Sequence, residues 1–168
     1  MILNLGCGNQ DYGDVRVDFV KTNATTHICN LNEKLPFNDE NFDEVYCNSV
    51  LEHIGNVKQF VEESMRVLKV GGKFYFRTDS STYLPFLIKG HQSYIEGKCK
   101  YDYKSDEDKH YYLFKEEHLI NFFKRFGDIK IGYACPSKKM PFFPMKFKCM
   151  HIEVNGIKHN ALSTEKEQ

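Results

Sequence analysis

A doubly wound α/β sheet is the fold class that this 168-residue sequence predicts, on three observations. Short apolar runs recur with long connections between them, as parallel strands buried on both faces require. The first run, Ile2-Leu3-Asn4-Leu5, passes straight into Gly6-Cys7-Gly8, where glycine permits a sharp turn and lets backbone lie against a ligand. The second, Val15-Arg16-Val17, ends on Asp18, a carboxylate at a strand tip. A glycine turn after one parallel strand and an acid at the tip of the next suit a nucleoside ligand, with the acid accepting hydrogen bonds from ribose hydroxyls. The turn alone does not separate that reading from an ordinary strand-to-helix connection. Asp11 also stands where the three-glycine dinucleotide pattern would place its last glycine.

The remaining elements follow in order. Thr25-Thr26-His27-Ile28-Cys29 predicts a third strand. Leu35-Pro36-Phe37 and the acidic stretch 38–41 predict a proline-led turn, and Phe42 to Cys47 a fourth strand. Asn48 or Ser49 is placed to cap a helix with Glu52 in its first turn. Val57, Phe60, Val61, Met65 and Leu68 recur at helical spacing and predict a helix over 57–69, stopped by Gly71-Gly72. Lys73 to Thr78 alternates as a fifth strand. Two early crossovers are too brief for full helices. Residues 79–109 read as a long irregular insert carrying Tyr83, Phe86, Tyr94, Tyr101 and Tyr103. An amphipathic helix is expected over 115–126, with strands near 128–134 and 147–154. Residues 156–168 are polar and expected to fray. Neither an internal repeat nor a linker divides the chain, so 1–168 is expected to be one domain, with 79–112 as a lid or substrate insert.

Composition sets outer bounds. With 41% hydrophobic and 27% charged residues, this is the composition of a folded globular protein. No window approaches the ~18 apolar residues of a membrane span, and the N-terminus reads as a core strand, not a cationic leader. Six cysteines without CxxC pairs or zinc spacing suggest reduced, mostly buried thiols and a cytoplasmic protein. The zero net charge divides into 4 basic and 11 acidic residues over 1–65 and 19 basic and 12 acidic over 66–168. Solvated helix faces explain that division, and so does a bipolar surface facing an anionic partner.

Leu3-Asn4-Leu5-Gly6-Cys7-Gly8, Val17-Asp18, Leu35-Pro36-Phe37, Phe42-Asp43, Val50-Leu51-Glu52-His53 and Arg66-Val67-Leu68-Lys69-Val70-Gly71-Gly72 together resemble the class I S-adenosylmethionine-dependent methyltransferases, in particular the small type 11 group. The match covers roughly residues 1–78 and returns at His110 to Leu119. The resemblance implies a Rossmann-like, seven-stranded, mostly parallel sheet of order 3-2-1-4-5-7-6 with its last strand antiparallel. It implies S-adenosyl-L-methionine as cofactor. Gly6, Cys7 and Gly8 would offer backbone to its methionine part, Asp18 would bind the ribose, and Asn30 and Leu31 the adenine. Asn48 would flank the sulfonium, with Asn4 and His53 also at the cofactor site. Asn4 and Asn30 replace acids common in the family, and Val70 replaces a proline. No helix precedes the first strand, so cover for the cofactor would fall to residues 79–112 or a partner subunit; a homodimer or a partner subunit is the expected assembly.

Methyl transfer from a sulfonium is an in-line displacement, and a base is needed only where the acceptor must lose a proton. His110, with Tyr111 beside it, is the expected general base or substrate-orienting group; a helix-cap or packing role is the alternative. The insert's tyrosines could form an aromatic lid around a cation or simply give a long loop a core. Asp79 is a further polar residue at the pocket mouth, or a turn residue. Residues 137–148 interleave four lysines with aromatics and prolines, which suits a solvated connecting loop and also a nucleic-acid contact. No metal site is expected. A small-molecule acceptor is the leading expectation, with RNA or protein acceptors, or a catalytically silent partner subunit, as alternatives. The missing third glycine and the segments over 35–72 disfavour a nicotinamide oxidoreductase.

Overall fold

In the computed structural model, which describes residues 1–89, 110–134 and 144–160, alternating apolar residues build a seven-stranded sheet of order β3-β2-β1-β4-β5-β7-β6. The strands are β1 (Ile2–Leu5), β2 (Val15–Asp18), β3 (His27–Ile28), β4 (Phe42–Asn48), β5 (Leu68–Asp79), β6 (Gly127–Ala134) and β7 (His151–Lys158). β1 pairs parallel with β2 and β4, and β7 runs antiparallel between β5 and β6. This is the expected order, including the reversed last strand.

Helix α1 (Val57–Val67) starts at Asn56, whose side chain accepts from the Gln59 N–H at 3.2 Å. It buries Val57, Phe60, Val61 and Met65 on one stripe. The cap therefore lies later than the Asn48 or Ser49 expected from the sequence. Those residues instead lead into a single 3-10 turn at Leu51–His53. Two boundaries also move. Leu68 belongs to β5, not the helix, and Gly71-Gly72 lies inside that strand, where pairing with β4 shifts register between Phe42 and Glu44. A positive φ of 79° at Gly71 accommodates the irregularity. β7 carries to Lys158, so residues 156–158 are paired strand instead of frayed tail.

Two short helices, α2 (Leu84–Lys89) and α4 (Met145–Lys148), are joined where the Thr82 hydroxyl donates to the Lys146 carbonyl. Helix α3 (Glu116–Phe123) lays Phe123 against Phe74 and Phe76, with ring centroids 5.7 and 4.7 Å away. Leu3, Leu5, Val45, Cys47, Ile152 and Val154 complete the buried core. Alternate residues face the other way. There Tyr46 stacks on Tyr75, whose hydroxyl donates to Glu153 at 2.6 Å.

Cys7, Cys29 and Cys47 are free, but Cys149 is disulfide-bonded, against the expectation of thiols throughout. Scattered cysteine spacing carries no information on pairing, which depends on how the strands are brought together. Among the described residues no helix is long and apolar enough to cross a membrane. Tyr94, Tyr101 and Tyr103 of the expected lid, residues 137–143 of the lysine-aromatic stretch and residues 161–168 of the expected tail lie outside the described residues.

Candidate functional site

Strands β1, β2 and β4 end side by side, and the loops leaving their C-terminal tips enclose a cavity of about 580 Å³. That is the size class of small-molecule and cofactor sites, at the edge where parallel α/β sheets place them. After β1 the chain turns with φ of +70° at Gly6 and +52° at Gly8. The Gly6 and Cys7 N–H groups both donate to the Val17 carbonyl, at 2.8 and 3.0 Å, which ties the turn to β2. The two glycines serve different ends. A Cβ on Gly6 would lie 2.2 Å from Val50 Cγ2, whereas one on Gly8 would meet no protein atom within 4 Å. Gly8 thus leaves open space that a ligand can fill.

Asp18, at the tip of β2, is held by the same turn. Its Oδ2 accepts from the Gly8 N–H at 2.7 Å and its Oδ1 from the Val20 N–H at 3.0 Å. Each oxygen of a carboxylate can accept further bonds, so the group is positioned and still able to take a ligand's hydroxyls.

Gly6, Gly8, Asp18, Asn30, Leu31, His53 and Tyr111 all line the cavity. Asn4, Cys7, Asn48 and His110, expected at the site, do not line it. Leu3 and Leu5 are fully buried, so strand alternation sends Asn4 to the opposite face, where its amide donates to the Tyr12 carbonyl at 3.0 Å. Cys7 is buried with its Sγ 3.8 Å from Thr25 Oγ1, and burial pushes its thiol pKa up. The Asn48 amide oxygen accepts from the Ser49 hydroxyl, and the wall begins one residue later at Ser49, whose φ is +57°. Asn30 is on the wall, but its amide is committed locally: Oδ1 accepts from the Asn32 N–H at 3.0 Å and Nδ2 donates to Glu33 at 2.9 Å.

His110 sits behind His53 as seen from the cavity, their rings edge to face with centroids 4.4 Å apart. Asp79, 5% exposed, lies beneath: its Oδ2 is 3.3 Å from His110 Nδ1 and its Oδ1 is 3.5 Å from His151 Nε2. Glu52, read from the sequence as a helix first-turn residue, belongs to this group instead. Its Oε2 accepts from the Thr78 hydroxyl at 2.7 Å, and its backbone carbonyl accepts from the Tyr111 N–H at 2.7 Å. Burial pushes its carboxyl well up from the ordinary range and the Asp79 charge adds to that, while its own backbone, Thr78 and His110 pull the other way. The signal was present as Glu52-His53 directly after apolar Val50-Leu51, but a lone acid at a helix start has a commoner explanation in the helix dipole.

Residues 9–76 match the pattern of the Methyltransferase domain family. Over that stretch the chain is similar to methyltransferase domains. Against the mitochondrial ubiquinone biosynthesis O-methyltransferase of Rattus norvegicus, the chain is 36% identical over 61 residues, 36% of the chain and 18% of that protein. Against the demethylmenaquinone methyltransferase of Clavibacter sepedonicus it is 32% identical over 84 residues, 50% of the chain and 31% of that protein. The chain thus spans less than a third of the length of either relative. The solved phosphoethanolamine N-methyltransferase 2 of Haemonchus contortus, in complex with S-adenosyl-L-methionine, superposes with a TM-score of 0.61 at 17% identity, covering 95% of this chain and 48% of that one.

Proposed function

We propose that this domain is an S-adenosylmethionine-dependent methyltransferase whose acceptor is a small molecule. One observation carries the reading: the Asp18 carboxylate, fixed by the Gly8 N–H, stands on the wall of a cavity into which Gly8 projects no side chain. The residues present fit the cofactor. Asp18 can accept from both ribose hydroxyls, and Gly6 to Gly8 leave room for backbone contact. Leu31, Val50 and Ile54 offer an apolar wall to a base. When bound, the cofactor supplies a methyl group on a positively charged sulfur. The protein's part is alignment in a site closed to water. Because the Asn30 amide is bonded within its own turn, base recognition falls to the neighbouring backbone and to Leu31. The names of the curated relatives, both quinone-precursor methyltransferases, support a small acceptor. His53 and Tyr111 line the wall on which that acceptor would be handled, while His110, the expected base, would act only through His53.

A second reading, a cofactor-binding partner subunit without turnover, draws on Asn30 in place of the usual acid. Titration calorimetry with S-adenosylmethionine and S-adenosylhomocysteine tests what the two readings share. Asp18→Ala should weaken both ligands about 10- to 100-fold, the worth of charge-assisted hydrogen bonds. Unchanged affinity would show that the ribose lies elsewhere. Turnover on a panel of hydroxylated and amino metabolites then separates enzyme from subunit.

A further inference from the structure

Glu52 and His53 leave the 3-10 turn as neighbours, and His110 arrives from the segment before α3. One ligating atom of each, a carboxylate oxygen and two imidazole nitrogens, lies within 4.8 Å of the other two. Glu52 is 1% exposed, and its Oε1 is buried with no hydrogen-bond partner among the described residues. A buried carboxylate oxygen with no donor is costly unless positive charge fills the space beside it. The surroundings are arranged for that. Thr78 takes the other oxygen of Glu52, and Asp79 Oδ2 lies 3.3 Å from Nδ1 of His110. A carboxylate behind an imidazole is the usual support of a metal-bound histidine, fixing its tautomer and orientation.

We propose that Glu52, His53 and His110 form a divalent-cation site, oriented by Asp79 and Thr78. Two imidazoles and one carboxylate suit a borderline ion such as Zn²⁺, Mn²⁺, Fe²⁺ or Co²⁺; Mg²⁺ and Ca²⁺ favour all-oxygen sets. Three protein ligands leave positions open, as in catalytic and not structural metal sites. Because His53 also lines the cavity, those positions adjoin the space assigned to the acceptor. This departs from the expectation of no metal site. The cluster exists but is mostly histidine, and His110 comes from far along the chain.

Cobalt titration of chelator-treated protein tests the site without using the cofactor. One equivalent of Co²⁺ should give the visible bands of a four- or five-coordinate ion, displaced by Zn²⁺. Glu52→Gln, nearly isosteric, and His110→Ala should each weaken Co²⁺ at least about tenfold. Asp18→Ala, at the cofactor end of the cavity, should leave the spectrum unchanged. If His110→Ala does not fold, Glu52→Gln alone decides. The site is overturned if stoichiometric Co²⁺ gives no such bands, or if both folded variants bind it as the parent does. Protein that binds Co²⁺ but neither S-adenosylmethionine nor S-adenosylhomocysteine would overturn the proposed function and leave the metal site standing. Protein that binds either of those ligands but gives no Co²⁺ bands would overturn the metal site and leave the proposed function standing.

Discussion

His151 shows how closely single residues here depend on one another. Arg77 Nη2 donates to its Nδ1 at 2.7 Å, so that nitrogen must be unprotonated, and Asp79 lies 3.5 Å from Nε2, which then carries the hydrogen. Burial is the largest influence and lowers the pKa; the Arg77 charge lowers it further, while Asp79 and Glu153 act the other way. With the folded pKa below the ordinary 6.5, the unfolded chain binds more protons between the two values, so His151 makes stability rise with pH across that window. As pH falls from about 7 toward 5.5, His151 should pull the melting temperature down, opposing Glu52, whose raised carboxyl pKa acts the other way, and His151→Asn should remove that pull. Equal slopes in parent and variant would show that His151 titrates alike in both states. The site residues were unevenly legible for a related reason. Gly6, Gly8 and Asp18 are local to two strand tips, and their spacing carries their placement. Glu52 and Asp79 take their character from burial against each other, and His110 meets them only once the chain has returned to the sheet.

The Leu35-Pro36-Phe37 turn and helix α1 are held as one unit by Arg66. Its guanidinium donates to the carbonyls of Leu35 and Phe37 at 3.0 and 2.9 Å and pairs with Glu63 and Asp39. Glu63 in turn accepts from the Leu35 N–H, and Arg66 holds its carboxyl below the ordinary range. Arg66→Leu would strand two carbonyls and two acids while keeping the apolar stem. We expect a loss of about 2–4 kcal/mol, within the range for breaking charge-assisted bonds at a partly buried site. At roughly 2–4 °C per kcal/mol for a domain this size, thermal melts should resolve the loss. A change under about 1 °C would show that the turn is held by Leu35 and Phe37 packing instead. At this scale the sequence is a good guide: apolar runs, alternation and helical spacing located the first six strands and the two longer helices, while the strand expected over 147–154 lies at His151–Lys158, with Lys148 still in α4. It failed where a neighbour decides the outcome. Leu68 fits the helix stripe of α1, yet it pairs with Phe42 and opens β5, and Gly156 opens the polar tail in sequence but pairs its backbone between Phe74 and Ile129 in the sheet.

Across the whole sheet, the cavity gathers the parts with the least packing of their own. β3 has two residues, both exposed, and the links on either side of β2 are irregular. Phe74, Phe76 and Phe123 lie on the β4–β5–β7 side, while Gly8, Asp18 and Asn30 lie on the β1–β2–β3 side. A ligand bridging Asp18, Leu31 and His53 would join the thin side to the loop after β4, so its binding energy acts on the elements that open most readily. Mass action sets the size of the effect. At a ligand concentration 100 times Kd the folded state gains about 2.7 kcal/mol, which raises the melting temperature by roughly 5–10 °C in a domain of this length. S-adenosylhomocysteine should produce that shift in the parent protein, and Asp18→Ala should abolish most of it at the same concentration. NAD should produce none, since Asp11 occupies the place of the third glycine of a dinucleotide loop. A shift with NAD and none with S-adenosylhomocysteine would reassign the cavity to a dinucleotide. The same shift in Asp18→Ala as in the parent would mean the ligand is held somewhere other than the tip of β2.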